Sequence, residues 1–175
     1  MADHLLLGIN ADMFKKILAP IQNLENDKIV FDRALTLAKD DSAALMLLHV
    51  FAPNDPSLPG LPDPMLYRYP LVTNELMEGF QERWEETENR GLEMLKELSD
   101  RAQSAGITAE FSKNVGSVGS VVCHLAANWG ADLIVIRQPD RSKLDELLMG
   151  SVSHYILHHA PCAVLTLPPS KLPSK

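Results

Sequence analysis

Apolar positions in this chain alternate between short unbroken runs and longer stretches spaced by threes and fours. Lys16 to Ile21 is a short apolar run closed by Pro20 and the polar Gln22-Asn23, which predicts a first strand. Ile29, Val30, Ala34, Leu37 and Ala38 then recur at helical spacing. Ala43 to Val50 is nearly all apolar, as a central parallel strand buried on both faces must be. Leu76, Phe80, Trp84, Thr87, Gly91, Leu95, Leu98 and Ala102 form one stripe of a long helix over Thr73 to Gln103, with Gly106 as its stop signal. Ile107 to Phe111 reads as a shorter third strand. Val118, Val121, Val122, Leu125 and Trp129 predict a helix capped by Ser117 or Ser120. Leu133 to Ile136 predicts strand four, Ser151 to His158 a last helix, and Ala163 to Leu167 strand five.

Five strands alternating with four helices demand right-handed crossovers. The expectation is one doubly wound α/β domain, a five-stranded parallel sheet with helices on both faces. Between the second strand and the long helix, Pro53, Pro56, Pro59, Pro62, Pro64 and Pro70 hold half of the chain's 12 prolines, so residues 53–70 are expected to be an extended loop. Residues 1–12 are expected to be an extension outside the domain, because Met13-Phe14-Lys15-Lys16 reads as a start in its own right. Residues 169–175, with Pro169 and Pro173, are expected to fray.

Composition removes several function classes. Sixteen basic against 23 acidic residues leave a net charge of −7, which argues against a broad surface for nucleic acid or anionic lipid. No apolar run approaches a membrane span. Cys123 and Cys162 suit buried hydrophobes in a reducing compartment rather than a disulfide framework, so a cytoplasmic location is expected.

The richest chemistry lies in Gly150-Ser151-Val152-Ser153, a turn opening a helix shortly after a buried strand. Free N–H groups and Ser hydroxyls at a helix start can seat an anion such as phosphate, although the same residues make an ordinary turn and cap. His154 and His158 stand four apart, but with no third ligand a metal site is not predicted. Gly116-Ser117-Val118-Gly119-Ser120 lacks the lysine of a P-loop and reads as a loop and helix start, with Val115 and Gly116 at the rim of the same cleft. There is no Gly-x-Ser-x-Gly elbow for a hydrolase. A phospho-acceptor receiver would want carboxylates where Gln22 and Ser112 stand.

Taken in order, several segments resemble the universal stress protein family over residues 13–168. They are Lys15-Lys16-Ile17-Leu18-Ala19-Pro20, Leu47-Leu48-His49-Val50, Val115-Gly116, Ala131-Asp132-Leu133-Ile134-Val135, Gly150-Ser151-Val152-Ser153 and Ala160-Pro161-Cys162-Ala163-Val164-Leu165. The resemblance implies a Rossmann-like fold of the adenine nucleotide alpha-hydrolase kind, and a homodimer formed by pairing of the 163–167 strand. It implies a site for ATP or another adenine nucleotide with Mg²⁺. The adenine would lie near Pro20, Ile21, Gln22 and Val50, the ribose near Ile136 and Arg137, and the phosphates against Gly150, Ser151, Val152 and Ser153.

The chain departs from the family's ATP-binding pattern at three positions. Arg137 and Asp140 stand where that pattern has glycines, and Gln22 stands where it has an aspartate. A side chain at either glycine position restricts close approach of the backbone, and a carboxylate at 140 repels phosphate unless Arg141, Lys143 or Mg²⁺ intervenes. Arg137 could obstruct the pocket or contact phosphate itself. The expectation is therefore a non-enzymatic stress-response sensor or adaptor, homodimeric, with weakened or lost ATP binding and an unidentified protein partner. The alternative is an adenine-nucleotide-binding switch or slow ATPase using the strand-four loop and the Gly150-Ser151 helix start.

Overall fold

A computed structural model describes residues 13–52, 70–138 and 151–168. The elements run β1 (Lys16–Pro20), α1 (Leu24–Asp40), β2 (Ala44–Phe51), α2 (Pro70–Ser104), β3 (Ala109–Val115), α3 (Val118–Trp129), β4 (Leu133–Arg137), α4 (Ser151–His159) and β5 (Ala163–Leu167). All five strands are parallel, in the order β3-β2-β1-β4-β5. This is the doubly wound α/β architecture expected from the alternation of runs. The proline-rich stretch from 53 to 69 and both chain ends lie outside the described residues.

Strand pleating sorts the core into two layers. Ile17, Ala19, Ile21, Leu45, Leu47, Leu133 and Val135 face α1 and α2, where Val30, Phe31, Ala34, Leu95, Leu98 and Ala102 meet them. Leu18, Met46, Leu48, Val50, Ile134 and Ile136 face the opposite way, against Val122, Cys123, Ala126 and Ile156 of α3 and α4. Burying each such aliphatic side chain contributes roughly 1.5–3 kcal/mol, and strands apolar on both faces can form only where both faces are covered.

The ends of the helices follow from single residues. Asn23 caps α1, its side chain accepting from the N–H groups of Glu25 at 2.8 Å and Asn26 at 3.3 Å. Gly130, at φ 73, closes α3 in the left-handed conformation that a β-carbon disfavours.

Two boundaries depart from the sequence reading by more than one residue. β3 starts two residues later than expected and continues to Val115, because Ile107 still donates to the Ala102 carbonyl at the end of α2. β3 is also an edge strand, exposed along most of its length, so Ser112, Lys113 and Asn114 carry no apolar signature. Pro70, expected in the loop, opens α2, where the missing N–H of a first-turn proline costs nothing. Ser117 is the N-cap of α3 but makes no side-chain cap bond, and Ser120 lies inside the helix.

Candidate functional site

β1 leads to β2 on one side, whereas its other neighbour is β4, so the chain reverses direction across the sheet between β1 and β4. In an open parallel sheet this reversal opens a crevice beyond the strand carboxyl ends, where ligands settle. Pro20, Ile21, Gln22, Val50, Ile136 and Arg137 all lie at that end.

The structure assigns these residues different environments. Ile21 is fully buried in the α1/α2 layer, and both of its backbone groups are used. Its N–H donates to the Leu48 carbonyl at 2.8 Å, while its carbonyl accepts from His49 Nδ1 at 2.8 Å. Since a carbonyl only accepts, Nδ1 carries the proton of that imidazole. Val50 and Ile136 are buried in the α3/α4 layer. Ser153, 7% exposed, turns its hydroxyl back to the Arg137 carbonyl at 3.4 Å and so ties the start of α4 to the end of β4. Val152 is exposed. Asp140 and Gly150 lie outside the described residues, and so does the side chain of Ser151.

Arg137 does not turn toward α4. It shares the parity of Leu133 and Val135 on β4, and its Nε reaches Asp27 Oδ1 at 3.2 Å in the first turn of α1. Asp27 is 8% exposed, and its second oxygen accepts from the backbone N–H groups of Gln22 at 2.9 Å and Asn23 at 3.0 Å. One carboxylate therefore fastens the β1–α1 loop and holds the guanidinium above it. Of the two roles open to Arg137 from sequence, obstruction or phosphate contact, the geometry shows a third, an ion pair with α1.

Gln22 is the other unusual group. Neither its Oε1 nor its Nε2 is accessible to solvent, and neither has a hydrogen-bond partner among the described residues.

Asp27 was absent from the sequence reading. An acid in the first turn of a helix is a common dipole partner, so its position carried a weak signal. Nothing in the sequence announced the contact with Arg137. Among the described residues no three His, Cys, Asp or Glu side chains converge as a metal site would require, and no helix is long and apolar enough to cross a membrane. His154 and His158 are exposed on α4, their rings 4.4 Å apart.

The family model described as universal stress protein family matches residues 13–168. Universal stress protein Sll1388 of Synechocystis sp. is 30% identical, over 87% of this chain and 96% of its own length. Universal stress protein Slr1101 of the same organism is 38% identical over 57% of this chain and 94% of its own. Among solved structures, a universal stress protein in complex with cAMP superposes with a TM-score of 0.57 at 21% identity, covering 90% of this chain and 98% of that one. At that identity the likeness speaks for the fold.

Proposed function

The chain belongs to the universal stress protein family, and on that footing we propose that it is a non-enzymatic stress-response adaptor, homodimeric and cytoplasmic, that holds an adenine nucleotide weakly at the β1/β4 crevice. The base would rest against Val50 and Ile136 beside Gln22, and the phosphates at the start of α4. A neighbour of the same fold in complex with cAMP supports a nucleotide as the ligand class. Two free thiols, Cys123 and Cys162, suit a reducing compartment.

The observation that carries the reading is the Arg137–Asp27 pair. A guanidinium facing the crevice could add charge-assisted bonds to a phosphate. Held by Asp27, with its Nη1 only 3.5 Å from the Gln138 carbonyl, it is already committed. The phosphates then depend on main-chain N–H groups and serines, while Arg137 brings a β-carbon to the position where close backbone approach favours glycine.

Calorimetric titration with ATP, ADP and AMP in the presence of Mg²⁺ tests the proposal, with Asp27→Asn as the comparison. Asparagine keeps an acceptor for the Gln22 and Asn23 N–H groups while discharging the partner of Arg137. Expected are weak binding by the native protein, roughly tenfold tighter binding of ATP by the variant as one charge-assisted contact becomes available, and intact ATP after prolonged incubation. Tight binding unaffected by the variant would remove the ion pair's proposed role. Steady Mg²⁺-dependent hydrolysis would favour a switch or slow ATPase instead.

A further inference from the structure

Away from the crevice, the short helix α4 carries His154, His158 and His159. Their surroundings divide them. His159 is engaged, with its Nδ1 2.8 Å from the Tyr155 carbonyl and its ring stacked on Tyr155 at 4.0 Å. His154 and His158 stand four residues apart, where side chains one turn apart on a helix are neighbours. Both are exposed, and their ring centres lie 4.4 Å apart with the planes inclined at 49°. Among the described residues the hydrogen-bonded imidazoles are those of His49 and His159, so neither ring of the pair is held by a partner there.

We propose that His154 and His158 form a two-point chelate for a late first-row divalent cation that takes its ligands at right angles, Cu²⁺ or Ni²⁺. A closed metal cage needs three or four protein ligands, and the described residues bring no such group together. An open chelate needs only two, with water completing the shell. Imidazole suits both ions, and tetragonal coordination is characteristic of them. The ring spacing selects between geometries. With metal–nitrogen bonds of about 2.0–2.1 Å, two imidazoles at a right angle on one ion have centres about 4.5 Å apart, and at the tetrahedral angle usual for Zn²⁺ about 5.2 Å apart. The observed 4.4 Å fits the right angle.

The setting of the pair also favours a cation. The chain's net charge of −7 attracts positive ions at long range. His158 lies in the last turn of α4, where free carbonyl groups make the helix end negative. A bound ion would tie one turn of a 9-residue helix to the next, and helices that short hold little stability of their own.

Calorimetric titration with Ni²⁺ and Zn²⁺, and electron paramagnetic resonance of the Cu²⁺ form, test the proposal. All proteins carry His4→Ala, which removes the one histidine outside the described residues. The parent is expected to bind one Ni²⁺ per chain, to bind Zn²⁺ more weakly, and to give a Cu²⁺ spectrum split by two nitrogens. His154→Ala and His158→Ala are each expected to weaken Ni²⁺ binding about a hundredfold, because the second ligand of a chelate acts at high effective concentration. Each should leave splitting from a single histidine nitrogen. His159→Ala is expected to change neither reading. All three side chains are exposed, so circular dichroism of the metal-free variants is expected to match the parent.

A loss below about threefold in both single variants overturns the proposal and leaves the pair as solvated side chains at a helix end. A parent Cu²⁺ spectrum showing one histidine nitrogen overturns it as well. Zn²⁺ bound as tightly as Ni²⁺ would contradict the right-angled geometry and with it the choice of ion.

Discussion

Asp27 and Arg137 are 110 residues apart in the chain, yet Oδ1 of the one lies 3.2 Å from Nε of the other. The pair joins the first turn of α1 to the end of β4, and the second Asp27 oxygen holds two backbone N–H groups of the β1–α1 loop. Asp27→Ala strands both N–H groups and the guanidinium together. Because Arg137 is a quarter exposed and regains water, the N–H groups dominate the loss. The expected cost is about 2–3 kcal/mol. Asp27→Asn, which keeps one acceptor, is expected to cost about half as much. Urea unfolding of the two variants checks both; equal losses would mean that the ion pair and not the loop bonds sets the energy.

Gly91 in α2 is held small by two rings from β2. A β-carbon there would stand 2.9 Å from Phe51 Cζ and 3.0 Å from His49 Cδ2. Both rings are buried, and they meet edge to face at 4.5 Å, so neither can step aside freely. Gly91→Ala gains about 1 kcal/mol of helix propensity but overpacks this contact by about 2–3 kcal/mol. The net expectation is a loss of about 1–2 kcal/mol. In the alanine background, Phe51→Leu removes the Cζ atom and is expected to recover part of it. A double-mutant cycle by chemical denaturation measures the coupling, and additive losses would contradict the proposed clash.

How legible these features were in the sequence depended on burial. β1, β2 and β4 are covered on both faces, so their apolar runs had no competing explanation. The stripe of α2 was equally plain, and Thr87, Gly91, Leu95, Leu98 and Ala102 are all buried along it. β3 was misplaced because an edge strand owes its existence to backbone pairing with β2, which leaves little trace in side chains. At the crevice, the sequence marked Gln22 and Arg137 as departures from a pattern but could not say where they point. Strand order decides this for Arg137, because β4 beside β1 brings it over Asp27.

Burial raises the pKa of both thiols, and for Cys162 the nearby Asp132 and Cys123 raise it further. The native state therefore keeps its thiol protons at pH values where the unfolded chain releases them. Stability from this source is complete below the ordinary thiol range, about 8.5, and is lost as pH rises through the native values. Unfolding free energies measured from pH 7 to 10 are expected to fall over the alkaline part of that range. The slope is expected to be smaller in a Cys123→Ala, Cys162→Ala double variant. Cys123, only 8% exposed, is also expected to react slowly with a disulfide reagent in the native protein. An unchanged slope in the double variant would assign the alkaline loss to other groups.

Among the described residues β5 pairs with β4 alone, and Ala163 to Thr166 are partly open along the other edge of the sheet. An apolar edge strand invites pairing, and a two-fold dimer closes it without leaving a further edge. In a parallel ladder, successive backbone N–H groups point to opposite sides. Of two adjacent prolines at positions 164 and 165, one therefore removes a donor to β4 and the other a donor to the open edge. On the dimer proposed above, one of Val164→Pro and Leu165→Pro is expected to keep native circular dichroism and to sediment as a monomer, in contrast to a dimeric parent. The other is expected to lose fold stability. Dimers persisting in a folded proline variant at either position, measured by analytical ultracentrifugation, would move the interface away from this strand.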